Sequence, residues 1–251
     1  MLARLRAAVR YVSLGNAPLK WRIRGGQCPG CGNRLFLAFA DTPFHVRCLK
    51  CAATAVNLSL IPVISSHFNG SFRGKAAYEM STYGATHDFL KANFEGPIFS
   101  EFFPDRPLGS VENGVRNEDA TQLTFADAGF DVVTSNQVLE HVGDDIAAFR
   151  EGYRVLKPGG AFIFSVPLLE IPRTQQIARF SPEGKIEWLG TPEYHDSRSG
   201  GPGSAPVFWR HSIHDIAARV AGAGFANVQL VPVKVLTDQK IAQPVIYAVK
   251  S

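Results

Sequence analysis

The chain has 251 residues, of which 45% are hydrophobic and 19% are charged, and its formal net charge is +4. This composition excludes a disordered chain, and the length allows one large domain with a small module attached to it. The longest apolar runs, residues 58–64 and 161–169, are shorter than the roughly 20 residues of a membrane-spanning helix. The N-terminus also lacks the apolar core of a secretory signal, so we expect a cytoplasmic protein.

The first segment, residues 1–26, is basic. It contains six cationic side chains and no acid, so it accounts for the whole net positive charge of the chain. Apolar residues recur at helical spacing at Leu2, Leu5 and Val9. This pattern predicts a basic amphipathic helix, which would lie on an anionic membrane surface through residues 1–20, bind nucleic acid, or pack on its own domain.

The cysteines form two C-x-x-C pairs separated by sixteen residues, and they are Cys28, Cys31, Cys48 and Cys51. Four thiolates bind Zn²⁺ tetrahedrally, and a two-residue spacer lets one turn present two sulfur atoms to the ion. Predicted strands at 35–40 and 44–47 flank a turn. Residues 27–56 therefore resemble a zinc ribbon with a structural ion. Two disulfides or a redox pair are the alternatives, which a reducing cytoplasm and the repeated spacing disfavour.

After a predicted linker at 57–75, strand-like and helix-like segments alternate, as is typical of a mostly parallel α/β sheet. We predict strands at 77–80, 98–103, 111–116, 130–135, 161–167, 228–235 and 245–249. We predict helices at 86–93, 144–156 and 211–223. Residues 104–110 are too few for a crossover helix between parallel strands, so we expect the sheet to be trimmed there.

Three motifs lie close together in the middle of this region: FDVVTSNQVLEHV at 130–142, FRE at 149–151 and YRVLKPGG at 153–160. Together they resemble the class I S-adenosylmethionine-dependent methyltransferases, in particular the methyltransferase type 11-like branch. The resemblance extends over residues 76–251. It implies a Rossmann-like sheet, mostly parallel with an antiparallel last strand, preceded here by the zinc ribbon.

The resemblance also implies where S-adenosylmethionine would bind. Glu79 stands at the family's acidic position after the first strand, Glu101 at the position for the ribose hydroxyls, and Asp119 in the adenine-binding turn. The first loop keeps only Gly84 of the family's glycines, so we expect a Ser-Thr-Tyr turn to bind through hydroxyl and backbone N–H groups. The remaining implied contacts are Ser81, Ala120 and Asn136. A solvated loop role is the alternative for Glu101 and Asp119.

A lid is predicted at residues 168–210, which follow the fifth strand and are rich in Pro, Gly, Ser and aromatic residues. Within it, His195 is the preferred general base, because imidazole titrates near neutrality. His141, after the fourth strand, is the second candidate. For both histidines the alternative is a structural or merely exposed side chain.

The sequence thus predicts an S-adenosylmethionine-dependent methyltransferase that contains zinc. We favour a small-molecule, saccharide or lipid-linked acceptor, because the body of the chain is not basic. The first alternative is an rRNA or tRNA methyltransferase that uses the ribbon to bind RNA, since a ribbon before such a domain resembles the ribosomal RNA guanine methyltransferases. The second alternative is a catalytically silent scaffold, because the first loop has lost most of its glycines.

Overall fold

The computed structural model describes residues 21–197, 201–237 and 242–251, so the helix predicted within residues 1–20 lies outside the described residues. The strands are β1 (Arg22–Gly25), β2 (Leu35–Ala38), β3 (Val46–Cys48), β4 (Ala77–Glu79), β5 (Ile98–Glu101), β6 (Val111–Glu112), β7 (Val115–Asn117), β8 (Phe130–Asn136), β9 (Leu156–Ser165), β10 (Leu168–Leu169), β11 (Gln175–Gln176), β12 (Ala178–Phe180), β13 (Ile186–Trp188), β14 (Tyr194–Ser197), β15 (Gly201–Pro206), β16 (Trp209–Ser212), β17 (Asn227–Val233) and β18 (Gln243–Val249). The helices are α1 (Ala55–Leu58), α2 (Leu60–His67), α3 (Ala85–Asn93), α4 (Asp145–Val155) and α5 (Ile216–Ala221). Of these described helices, none is long and apolar enough to cross a membrane.

Within the described residues, the larger domain is built on an eight-stranded sheet in the order β17-β18-β9-β8-β4-β5-β7-β6. Neighbouring strands from β9 to β7 are parallel, whereas β18 runs antiparallel to both β9 and β17. This is the mostly parallel sheet with an antiparallel last strand that the sequence predicts. The predicted fold class is therefore confirmed.

Both faces of the sheet are apolar, because successive side chains on a strand point to opposite faces and helices cover each face. Val133 and Phe149 belong to the cluster that joins one face to α4 and α5. On the other face, Val132 packs in a cluster with Ile64 of α2 and Leu90 of α3. The sheet is thus the middle layer of three.

The segment 57–75, predicted as a linker, instead contains helix α2. Its residues Leu60, Val63 and Ile64 are buried against the sheet and show the spacing of a helix face. Pro62 lies in the first turn of α2, where no intrahelical hydrogen bond is lost. These residues therefore belong to the core of the larger domain and do not form a free connection.

Two further predicted elements differ from the observed ones. The strand expected at 111–116 is a hairpin of β6 and β7, because Asn113 and Gly114 both have positive φ, as a type I′ turn requires. The helix expected at 211–223 begins only at Ile216, because His211 and Ser212 continue β16, which pairs with β10.

The helix expected at 144–156 is present as α4. At its start, the Asp144 side chain accepts a hydrogen bond from the backbone N–H of Ala147 at 2.9 Å.

The ribbon, strands β1 to β3, is an antiparallel sheet that shares a core with the larger domain. It begins before the predicted boundary at residue 27, because β1 pairs with β2. Phe36 and Val46 of the ribbon pack in one buried cluster with Leu58 of α1 and with Val235 and Leu236 from the segment after β17. The ribbon and the sheet are therefore coupled by packing.

The predicted lid, residues 168–210, forms short sheets of two or three strands: β12 with β13, β14 with β15, and β10-β16-β11. Its end is fixed to the loop after β8. The backbone N–H of Phe208 donates to the carbonyl of Glu140 at 2.8 Å, and the indole N–H of Trp209 donates to the carbonyl of Val142 at 2.9 Å. These bonds hold the lid against the carboxyl edge of the sheet.

The burial of α2 leads to a stability prediction. Ile64→Ala removes a fully buried side chain that packs on the sheet, so we expect the free energy of unfolding to fall by about 2–5 kcal/mol. The matched control, Ser66→Ala, changes an exposed position on the same helix and should leave stability nearly unchanged. Equal stability of Ile64→Ala and the control in urea denaturation would show that α2 does not contribute to the core.

Candidate active site

A cavity of about 1400 Å³ lies at the carboxyl ends of β4, β5 and β8. Its lining includes every residue predicted to bind the cofactor: Glu79, Ser81, Gly84, Glu101, Asp119, Ala120 and Asn136. His141 also lines the cavity. His195 is not part of the lining but packs against His141, with the two ring centroids 5.1 Å apart. The chain therefore brings the predicted site residues together, although they are distributed over more than 100 positions of the sequence.

The first loop, between β4 and α3, is a serine turn. The Ser81 hydroxyl donates to the carbonyl of Tyr83 at 3.3 Å and accepts from the Tyr83 N–H at 3.4 Å. Gly84 has a φ of 99° and is the residue from which α3 begins. Only glycine adopts this conformation without strain, which is a physical reason for the one glycine in this loop.

Glu101, at the end of β5, connects this loop to the next strand. Its Oε1 accepts from the backbone N–H of Thr82 at 3.0 Å and from the Thr82 hydroxyl at 2.8 Å. Within the described residues, its Oε2 receives no hydrogen bond. One oxygen therefore orients the carboxylate, and the other can accept from a ligand hydroxyl.

Asp119 is held in the same way in the turn that follows β7. Its Oδ1 accepts from the backbone N–H of Thr121 at 2.8 Å and from the Thr121 hydroxyl at 2.7 Å. In the part of the chain that the structure describes, Oδ2 has no donor. A fixed carboxylate with one oxygen left over is suited to accept from an amino group of a bound base.

Glu79 is buried at the end of β4, and the Thr134 hydroxyl of β8 donates to it. Burial raises the pKa of Glu79 to about 8, and the neighbouring Glu101 carboxylate adds to this shift. Ionisation of Glu79 is therefore costly in the ligand-free protein. A cationic group bound in the cavity would favour the carboxylate form.

Asn136, at the end of β8, lines the cavity and bonds to helix α1, which follows the ribbon in the chain. Its Nδ2 donates to the carbonyl of Val56 in α1 at 3.1 Å, and Asn57 of the same helix lines the cavity. The Asn136 Oδ1 is buried, and no described residue donates to it. A ligand donor would satisfy this oxygen.

The loop after β8 adds a residue that the sequence analysis did not assign. Glu140 is 1% exposed, and burial raises its pKa to about 8. Its Oε1 lies 3.7 Å from Nε2 of His141 and 3.9 Å from Nδ1 of His195. Glu140 belongs to the LEH motif, where it directly precedes the candidate histidine His141. This position in the sequence could have indicated Glu140 as a candidate site residue.

The cavity lining is acidic. It contains Glu79, Glu101, Glu118, Asp119, Asp144 and Asp196, and no Lys or Arg is found among the described residues that line it. Such a lining favours cationic or neutral ligands over phosphorylated ones.

The buried state of Glu79 predicts a pH-dependent stability. The unfolded chain releases this proton near pH 4.5 and the folded chain only near pH 8. The contribution of Glu79 to stability is therefore complete below pH 4.5 and is lost as the pH rises towards 8, by about 1.4 kcal/mol per pH unit. We expect Glu79→Gln to raise the free energy of unfolding of the ligand-free protein more at pH 8 than at pH 5.

Urea denaturation at the two pH values measures this difference. The control is Glu95→Gln, an exposed position outside the cavity. A gain for Glu79→Gln that is the same at both pH values would contradict the assigned cause.

Comparison with known proteins gives a family match in this region. Residues 99–164 match a family model described as a methyltransferase domain. The chain is 42% identical over 53 residues to a protein of Mycolicibacterium smegmatis described as a probable S-adenosylmethionine-dependent methyltransferase, which is 21% of each chain. It is 48% identical over 48 residues to an arsenite methyltransferase of Aquipseudomonas alcaligenes, which is 19% of this chain and 14% of that one. It is 34% identical over 117 residues to a demethylmenaquinone methyltransferase of Mycolicibacterium vanbaalenii, which is 44% of this chain and 49% of that one.

These similarities cover less than half the length of each relative. The family match runs from β5 to β9 and so includes the part of the sheet that carries Glu101, Asp119 and Asn136. The resemblance predicted from the motifs at 130–160 lies within this match and is confirmed. Residues 99–164 of this chain are therefore similar to a methyltransferase domain.

Proposed function

We propose that this protein is an S-adenosylmethionine-dependent methyltransferase that acts on a small-molecule, saccharide or lipid-linked acceptor. The observation that supports the cofactor most strongly is that the side chains implied by the resemblance line one cavity. This cavity lies at the carboxyl edge of a parallel sheet, where such sheets bind nucleotides. When bound, S-adenosylmethionine supplies an activated methyl group and carries a net positive charge, which the acidic lining would favour.

Each acid has a defined role in this proposal. The Asp119 Oδ2 accepts from the adenine amino group, and the Glu101 Oε2 accepts from the ribose hydroxyls. Glu79 contributes negative charge for the cationic end of the cofactor. Ser81, Gly84, Ala120 and Asn136 supply the nearby turns and polar groups. The protein would act mainly by positioning, since methyl transfer needs little covalent participation by side chains.

His141 and His195 are the groups that we assign to activating an acceptor hydroxyl. The Nδ1 of His141 lies 2.7 Å from the carbonyl oxygen of Pro206, so the tautomer protonated at Nδ1 donates this bond and leaves Nε2 with a lone pair. Burial lowers the pKa of His141, which favours its neutral form. Aromatic rings of the lid, Phe180 and Phe208, line the same end of the cavity and would contact the acceptor.

The relatives do not specify the acceptor. One is named for arsenite and another for demethylmenaquinone, yet both share sequence with this chain. The acidic lining supports an acceptor without phosphate in the cavity, because a phosphate would find no cationic partner among the described lining residues. The acidic lining also argues against RNA as the acceptor. The basic residues before the ribbon are the remaining support for RNA binding. RNA binding that falls steeply with salt would revive that alternative.

We also propose that the ribbon binds one structural zinc ion. The Sγ atoms of Cys28 and Cys51 are 3.7 Å apart, those of Cys31 and Cys48 are 3.5 Å apart, and all four lie within 4.8 Å of one another. A tetrahedral site with Zn–S bonds of 2.3 Å would place the sulfur atoms about 3.8 Å apart, so the thiols fit the ion. The amide groups of Asn33 and Lys50 approach the Cys48 Sγ at 3.6 and 3.4 Å, as outer-shell donors to a thiolate do.

The shared core predicts that zinc stabilises more than the ribbon. We expect one zinc ion per chain by mass spectrometry, and we expect its removal with a chelator to lower the thermal midpoint of the whole protein by more than about 10 °C. Adding zinc back should restore the midpoint, which controls for damage by the chelator. A zinc-free protein with an unchanged midpoint would show that the cysteines hold no structural ion.

Cofactor binding is tested by calorimetric titration of zinc-loaded protein with S-adenosylhomocysteine. We expect Asp119→Ala to weaken binding by about 10- to 100-fold, because it removes an acceptor of the adenine amino hydrogens. Asp127→Ala, which changes an exposed acid outside the cavity, should bind like the wild type. Equal affinities of the two variants would refute the role of Asp119. An absence of binding by the wild type would favour the silent scaffold.

A further inference from the structure

The strongest unexplained feature near the cavity is the Glu140 carboxylate. Its side chain is almost fully buried, and neither of its oxygens accepts a hydrogen bond from any described residue. A buried carboxylate normally has a hydrogen-bond donor or a cation beside it, because removal from water is otherwise costly. The described residues therefore supply no hydrogen-bond donor to the Glu140 carboxylate.

A neighbouring histidine does not fill this role. The Oε1 of Glu140 lies 3.7 Å from the Nε2 of His141 and 3.9 Å from the Nδ1 of His195, and both distances are too long for hydrogen bonds. His141 directs its other ring nitrogen to the Pro206 carbonyl at 2.7 Å, so its neutral ring presents a lone pair to the carboxylate. Glu140 and His141 thus face each other as acceptors with no described donor between them, and a ring nitrogen of His195 lies beside them.

The His141 ring is also supported from behind, as in metal sites. The outer nitrogen of His141 bonds to a backbone carbonyl, whereas the outer nitrogen of His195 has the Glu193 carboxylate nearby, at 3.7 Å from its Oε1 and beyond hydrogen-bond distance. Glu193 is in turn paired with Arg210 at 2.7 Å. Metal-ligating histidines commonly have such a carbonyl or carboxylate on the nitrogen that does not bind the metal.

The donor set and its spacing fit a divalent cation. The ligand atoms of Glu140, His141 and His195 lie within 4.8 Å of one another. Bonds of about 2.1 Å in a tetrahedral site would place such atoms about 3.4 Å apart, so a small contraction suffices. Two imidazoles and one carboxylate form a recurrent three-ligand set that leaves coordination positions open.

We propose that Glu140, His141 and His195 bind a divalent cation at the wall of the cavity, in a site separate from the cysteines of the ribbon. Of the three ligands His141 lines the cavity, so we infer that an open coordination position can be reached from the cavity. The open positions would take oxygen donors of the methyl acceptor, which favours an acceptor with two neighbouring oxygen atoms. This last step rests on the proposed methyltransferase function, whereas binding of the cation does not. A bound cation would lower the pKa of an acceptor hydroxyl, so the two histidines would contribute to its activation as ligands of the cation.

Titration with Mn²⁺ of protein that holds a single Zn²⁺ per chain, followed by electron paramagnetic resonance, tests the site. Mn²⁺ favours oxygen ligands such as carboxylate over thiolates, so it distinguishes this site from the ribbon. We expect one Mn²⁺ bound per chain, with affinity at least ~10-fold weaker in Glu140→Gln and in His195→Ala. His214→Ala, which changes an exposed histidine paired with Glu170, is the matched control and should bind like the wild type.

Neither ligand variant should unfold the protein, since Glu140→Gln replaces a buried carboxyl group that has no described hydrogen-bond partner and His195 is partly exposed. Thermal melting checks this. No binding of Mn²⁺ by the wild type at millimolar concentration, or unchanged binding in both folded variants, would overturn the proposal. Titration with S-adenosylhomocysteine in the absence of Mn²⁺ separates the methyltransferase hypothesis from the cation hypothesis. If the protein binds Mn²⁺ but not S-adenosylhomocysteine, the methyltransferase function is refuted and the cation site is retained.

Discussion

The parallel pairing of β4 with β8 on one side and β5 on the other determines where the candidate site lies. In this register Glu79 is opposite Thr134 and Phe99. Asn136 and Glu101 each lie two residues beyond those partners, so all three polar side chains reach the same edge of the sheet. Strands of this kind must be buried on both faces, and the polar groups are therefore confined to the strand ends. The cavity follows from this constraint.

Packing extends the site towards the ribbon. The ribbon core continues through Leu58 into the larger domain, and α1 between them contributes Asn57 to the cavity and a carbonyl to Asn136. A zinc ion that orders the cysteines would thereby also order one wall of the cavity. In this account the ribbon supports the site structurally, whether or not it also contacts a partner.

Much of the fold and many of the site residues could be predicted from the sequence, because they depend on local patterns. The alternation of strand-like and helix-like segments predicted the sheet. The motifs at 130–160 indicated the family, whose pattern then implied Glu101 at the end of the second strand and Asp119 in the adenine-binding turn. Helix α2 was missed because a short apolar run is compatible with a strand, a linker or a buried helix. The Asn113-Gly114 hairpin was readable from its turn residues and was overlooked.

The acceptor end of the cavity was harder to predict. The contact between His141 and His195 depends on how the lid folds back over the loop after β8, which no local pattern describes. The buried, unpartnered state of Glu140 likewise arises only from tertiary packing. Side chains on rigid strand ends were therefore predictable, whereas side chains that meet through the lid were not.

The most direct measurement is a crystal structure of the zinc-loaded protein grown with saturating S-adenosylhomocysteine. The account predicts electron density in the cavity, with the adenine within hydrogen-bond distance of Asp119 and the ribose within hydrogen-bond distance of Glu101. A ligand bound elsewhere, or an empty cavity under these conditions, would contradict the central claim that these carboxylates form a cofactor site.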